Sequence, residues 1–171
     1  MNLHPIIVHF PIAFLFVWSL CEIFPVGKWF RRIDWKSVKT FLILVGFVGG
    51  WVASMTGEQA EHMLPRDFAV RNLVHMHSFF AQLTMILFGL FAFEVVIRFI
   101  KAKYANTYNK FGILAKIVDW CLNLLEFRLF RMLLALMAMI AIFVTGLLGG
   151  VLVYGPTADP IAPLVLKILG L

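Results

Sequence analysis

The residues of this chain best suited to chemistry are its five histidines, His4, His9, His62, His75 and His77, and four of them stand at the mouths of two greasy runs. His4 and His9 punctuate "MNLHPIIVHFP", which leads straight into "IAFLFVWSLCEIF", and His75 and His77 open the run that continues to Ile97. Imidazoles are costly in hydrocarbon, so ionisable groups placed there count as site candidates. A neutral imidazole ligates iron, zinc or copper through one ring nitrogen while a hydrogen bond to the other holds the ring in place.

The elements that must position these groups follow from composition. Of 171 residues, 62% are hydrophobic and 14% charged, with mean hydropathy +0.93, which is the composition of a membrane protein. A hydrocarbon core roughly 30 Å thick takes about 20 apolar residues per helical span. Four runs meet that length, at about 6–24, 38–56, 73–97 and 132–154. The expected fold is therefore an all-α integral membrane protein: a four-transmembrane-helix bundle in a single domain over residues 1–171. The leader "MNLHP" has no basic residue and no small-residue cleavage site follows, so the first run is expected to be retained. The segment at about 111–127 spaces Lys116, Asp119, Asn123 and Glu126 among apolar residues, as in an amphipathic helix lying in the cytoplasmic interface. Its alternative is a fourth span that begins early. The tail 156–171, with three prolines, ends in an apolar run too short to span.

Charge orients the bundle. The first and third linkers carry Lys28, Arg31, Arg32, Lys36 and Lys39, then Arg98, Lys101, Lys103, Lys110, Lys116, Arg128 and Arg131, whereas the second carries only Arg66 and Arg71. The positive-inside bias places the first and third linkers in the cytoplasm and the second linker and both termini outside, as for a multi-pass protein of a bacterial inner membrane. No basic patch with interleaved readers indicates nucleic acid. Cys21 and Cys121 both fall on the inner side, so no disulfide is expected. There, Glu94 can pair with Arg98 one turn on, and Glu22 sits near enough to the interface to be hydrated. All five histidines map to the outer end, with Trp51, Glu58, Glu61, Arg66, Arg71 and Tyr154.

Helical spacing divides the histidines. His75 and His77 are about 200° apart and cannot both face the interior. From His75 the stripe is Ser78, Gln82, Met85, Gly89 and Ala92, small and polar; from His77 it is Ala81, Thr84, Phe88, Phe91 and Val95, bulkier and lipid-like. That contrast turns His75 inward and leaves His77 as the alternative. His9 lies a turn inside the first span, whereas His4 and His62 read as interfacial or loop residues. Spans two and four hold small-xxx-small pairs, Gly46 with Gly50, Ala53 with Gly57 and Gly146 with Gly150, which let helices approach closely. Together with the paired histidines of spans one and three, they suggest one helix-pair unit used twice.

Glycine also lets a flat ligand lie against a helix, and two imidazoles flanking such a slot suit haem b. The expected ligands to iron are His9 and His75 or His77, beside Gly50, Gly146 and Gly150, with Arg66 and Arg71 receiving propionates. No "CxxCH" occurs, so attachment would not be covalent. A transition metal ion held with Glu58, Glu61 and His62 of "TGEQAEH" is the alternative, with Met55, Met63 and Met76 nearby for Cu(I).

The segments "LHPIIVHFPIAFL", "TGEQAE" and "TGLLGGVLVYG", with the histidine-bearing start of span three, resemble the small bacterial membrane proteins of the domain of unknown function 2231 family. The resemblance covers most of the chain. It implies a four-helix membrane bundle in which His9 and one of His75 or His77 bind haem or metal. The family pattern also has histidines in span four where this chain has Leu147 and Gly155, which implies at most one haem or a reduced metal site here.

Two function classes follow. One is a b-type haem electron-transfer subunit joining a redox partner to the quinone pool. The other is a haem-free accessory subunit of a larger respiratory or photosynthetic complex. Metal transport would distribute ionisable groups across the bilayer, not gather them at one end. Hydrolysis lacks its motifs, since neither a Walker loop nor "HExxH" occurs.

Overall fold

The computed structural model describes residues 4–62, 67–157 and 159–171. α1 (His4–Ile7) runs through Val8 into α2 (His9–Ile23), and a single turn, α3 (Val26–Trp29), leads to α4 (Trp35–Glu61). α5 (Phe68–Lys103) is followed by α6 (Ala105–Asn109), α7 (Ile113–Glu126), α8 (Arg128–Tyr154) and α9 (Ala162–Leu169). No strand occurs among the described residues. Four helices have the length and hydropathy to cross a membrane: His4–Ile23, Trp35–Glu61, Val70–Lys103 and Arg128–Tyr154.

Local chemistry sets the ends of these helices. Pro5 sits in the first turn, where a missing N–H costs nothing. Val8 N donates to His4 O at 3.1 Å and Ile12 N to Val8 O at 3.2 Å, so α1 and α2 form one span although Pro11 lacks a donor for Ile7 O. α4 starts at Asp34, whose carboxylate accepts from Lys36 N at 3.1 Å and Ser37 N at 3.3 Å. The Ser37 hydroxyl also donates to it, and these bonds hold the Asp34 carboxyl below the usual carboxylate range. Phe127, extended at ψ 109°, separates α7 from α8, so α7 is a helix of its own and not an early start of the fourth span. α8 stops at Gly155, whose φ of +86° few other residues adopt.

The spans pack as two hairpins, α2 with α4 and α5 with α8, closed into a bundle where α2 meets α8 and α4 meets α5. At the centre, the Trp18 ring lies 4.5 Å from Phe91 and 5.8 Å, edge-on, from Phe88. Opposite them α8 presents Ala135, Ala138 and Ala141, all buried. Large rings from two helices thus fill the space that alanines on a third leave open, as close packing requires. This reverses the expected rotation of span three. Thr84, Phe88 and Phe91 are buried while His75 and Gln82 are exposed, so the face that carries His77 points inward, and of the His75 stripe only Ala92 is buried. The stripe judged lipid-like by its bulk is the core, because its bulk is what the alanines of α8 receive.

A second difference concerns Glu22, whose side chain is 5% exposed and held by ion pairs. Arg131 Nε lies 2.9 Å from Glu22 Oε2, Arg131 Nη1 lies 2.7 Å from Glu94 Oε2, and Lys39 Nζ lies 3.1 Å from Glu22 Oε1. Arg98 bridges Glu94 at 2.9 Å and Glu126 at 3.0 Å. The Arg131 guanidinium also lies 5.4 Å from the Phe91 ring centroid. One network therefore ties α2, α4, α5, α7 and α8 at the basic end of the bundle. Outside the core, Val48, Ile86, Phe93, Met137 and Ile140 are exposed, an apolar belt whose natural solvent is lipid.

Candidate functional site: two threonine-held imidazoles

At the opposite end of the bundle, His77 lies on the inward face of α5, where its Nδ1 is 3.0 Å from the Thr145 carbonyl of α8. A carbonyl only accepts, so Nδ1 carries the proton and donates, leaving Nε2 with a lone pair. The Thr145 hydroxyl donates to Ala141 O at 2.8 Å, so the Thr84 hydroxyl, 3.3 Å away, is the donor to it. Gly149 makes room for the ring. A Cβ there would stand 3.2 Å from His77 Cε1.

His4 repeats this arrangement in the other hairpin. Its Nδ1 is 3.0 Å from the Thr56 hydroxyl, which already donates to Ala53 O at 2.9 Å and so accepts from the imidazole. A Cβ on Gly57 would lie 3.1 Å from His4 Cε1. In each hairpin, then, a histidine from the first helix is bonded to a threonine of the second and lies against a glycine one residue or one turn beyond it. At His77 this leaves Nε2 as the unprotonated nitrogen, the form in which imidazole ligates a metal while its other nitrogen is held.

The other expected site residues lie elsewhere. His9 is exposed, with Nδ1 donating to Pro5 O of its own span, and His75 is exposed on the outer face of α5. Arg71, four residues before His75, is exposed on that same face. Arg66 and Met63 fall outside the described residues. Glu58, Glu61 and His62 are exposed at the end of α4, and no cluster of three or more histidine, cysteine, aspartate or glutamate side chains suited to a metal ion occurs among the described residues. The acceptors differ in kind, since His4 uses the Thr56 hydroxyl whereas His77 uses the backbone carbonyl of Thr145, which any residue would supply, so only Thr56 could have signalled its partner in the sequence.

Imidazoles fixed through Nδ1 are the kind of donor that a haem iron takes. The expected slot fits less well. A Cβ on Gly50 would lie 2.7 Å from Met85 Sδ and one on Gly146 3.6 Å from Ile12 Cδ1, so side chains of this chain occupy the space over those glycines. Only at Gly150 among the three expected slot glycines is there nothing within 4 Å.

The family model described as "Predicted membrane protein (DUF2231)" matches residues 1–158. No curated protein and no solved structure matches the chain.

Proposed function

Since the chain belongs to the DUF2231 family of predicted membrane proteins, we propose that it is a membrane-embedded redox subunit in which His4 and His77 would hold a haem b iron. The observation that carries this reading is the repeated histidine-threonine pairing, which fixes the tautomer of both rings and directs Nε2 away from the threonines. Haem would supply one-electron chemistry. The chain's own part is to orient the two imidazoles by engaging Nδ1 as a donor, which leaves Nε2 as the nitrogen able to ligate, and to exclude water with the buried Thr84 and the aromatic core beneath. Electrons would then pass between a partner subunit and the quinone pool, with the histidine end outside the bacterial inner membrane and the basic end in the cytoplasm.

A second reading, a haem-free accessory subunit of a larger complex, is favoured by Met85 and Ile12 lying over Gly50 and Gly146. The same experiment separates the two. Protein purified in detergent from haem-replete cells should show a reducible Soret band that His77→Ala and His4→Ala each abolish, while His9→Ala and His75→Ala retain it. Colourless wild-type protein free of haem and of metal sinks the redox reading and leaves the accessory one.

A further inference from the structure

The second concentration of polar groups, at the basic end, opens onto a cleft of about 360 Å³ between α2, α3, α4 and the start of α8. Four cations, Lys28, Lys39, Arg128 and Arg131, line it against a single carboxylate, Glu22. Two of these cations are already used: Lys39 pairs with Glu22, and Arg131 bridges Glu22 and Glu94. Lys28 Nζ and the Arg128 guanidinium have no ion-pair or hydrogen-bond partner among the described residues. Arg128 is also the first residue of α8, whose N-terminus has no side-chain cap, so first-turn amides add the positive end of the helix dipole there.

The surroundings of the cleft are apolar and outward-facing. Phe24 and Met132 lie in its wall with Trp35, and Trp29 stacks on Phe24 at 6.3 Å. Phe127 and Leu129, on either side of Arg128, are exposed, as are Trp29 and Phe30. A soluble anion needs the cations alone. Cations set beside exposed aromatic and aliphatic side chains, at the end of helices long enough to span a bilayer, match a molecule with an anionic head and apolar tails.

We propose that this cleft is a binding site for the phosphate headgroup of an anionic membrane phospholipid, with Lys28 and Arg128 as its uncommitted ligands. Glu22 gives the site its shape, because it holds Lys39 and Arg131 in place without cancelling the positive excess. This site is independent of the histidine end and of any cofactor there.

The test uses the full chain in detergent, presented with equal phosphatidylglycerol and phosphatidylcholine and read by native mass spectrometry. Wild-type protein should retain phosphatidylglycerol over phosphatidylcholine by about tenfold or more, as two uncommitted cations at a membrane surface would give. Lys28→Gln with Arg128→Gln should bring the preference near unity, each single variant should lose part of it, and Lys116→Gln, away from the cleft, should keep it. Circular dichroism checks that helicity is unchanged; if the double variant does not fold, Lys28→Gln, on a one-turn surface helix, carries the test alone. Equal preference in the folded variants overturns the proposal, and so does displacement of the lipid by inorganic phosphate alone, which would make this a site for a soluble anion.

Discussion

A methyl group added at one glycine or another has unequal consequences, and the reason lies in what it would touch. At Gly46 a Cβ would stand 2.6 Å from Leu15 Cδ2, 2.7 Å from Leu15 Cγ and 3.2 Å from Phe14 Cβ. Leu15 is 1% exposed and locked in the core, so Gly46→Ala should cost about 1–3 kcal/mol through overpacking, against a helix-propensity gain of about 1 kcal/mol. At Gly50 the nearest atoms are Met85 Sδ at 2.7 Å and Cε at 3.4 Å, on a flexible thioether that can turn aside, so Gly50→Ala should be near neutral. Unfolding midpoints in a denaturing-detergent titration should separate them, and equal shifts would contradict this account of the two sites. The positions of the histidines were legible in the sequence because hydropathy marks where a span begins. Their orientation was not. Polarity alone chose His75, whereas the rotation of α5 is set by Phe88 and Phe91 fitting the alanines of α8, a contact between segments far apart in the chain.

Among the elements, the spans were legible and the latch that holds α7 was not. Tyr108 on α6 donates to Ala115 O at 3.1 Å and to Asp119 Oδ1 at 2.8 Å, and Lys101 at the end of α5 pairs with the same carboxylate. Nothing in the periodicity of α7 foretells these bonds, since they depend on Gly112, at φ +53°, folding α7 back onto α6. Burial, and then the neighbouring Asp119 carboxylate, push the Tyr108 hydroxyl up to about 12. The folded state thus keeps a proton that an unfolded tyrosine releases near pH 10, so the latch is intact below about pH 10 and weakens as pH rises through about 12. Asp119 has the opposite sense. Hydrogen bonds from Lys101 and then Tyr108 hold its carboxyl below the usual range, and that contribution fades as pH falls through the lowered value. The phenolate absorbance lost in Tyr108→Phe should titrate near pH 12 in the wild type. In Asp119→Asn it should move down yet stay above the ordinary value, since burial is the larger cause; no movement would remove Asp119 from the latch.

For the molecule as a whole, the basic residues of the first and third linkers gather at one end and the histidines at the other, so the orientation proposed from charge has a direct check. Cys121 is exposed on α7 at the basic end, while Cys21 is 8% exposed within the bundle. A maleimide that cannot cross membranes should leave intact cells unlabelled and modify Cys121 alone once the membrane is opened. Labelling of intact cells would invert the orientation. The unbroken course of α5 has one more consequence. From His77 to Glu94 that helix rises about 26 Å at roughly 1.5 Å per residue, close to the ~30 Å depth of bilayer hydrocarbon. The imidazole pair and the Arg131 network therefore sit at opposite poles of the membrane's electric field. An electron received at the histidines from a donor on their own side would traverse almost none of the voltage, so the proposed redox step would be electrically silent.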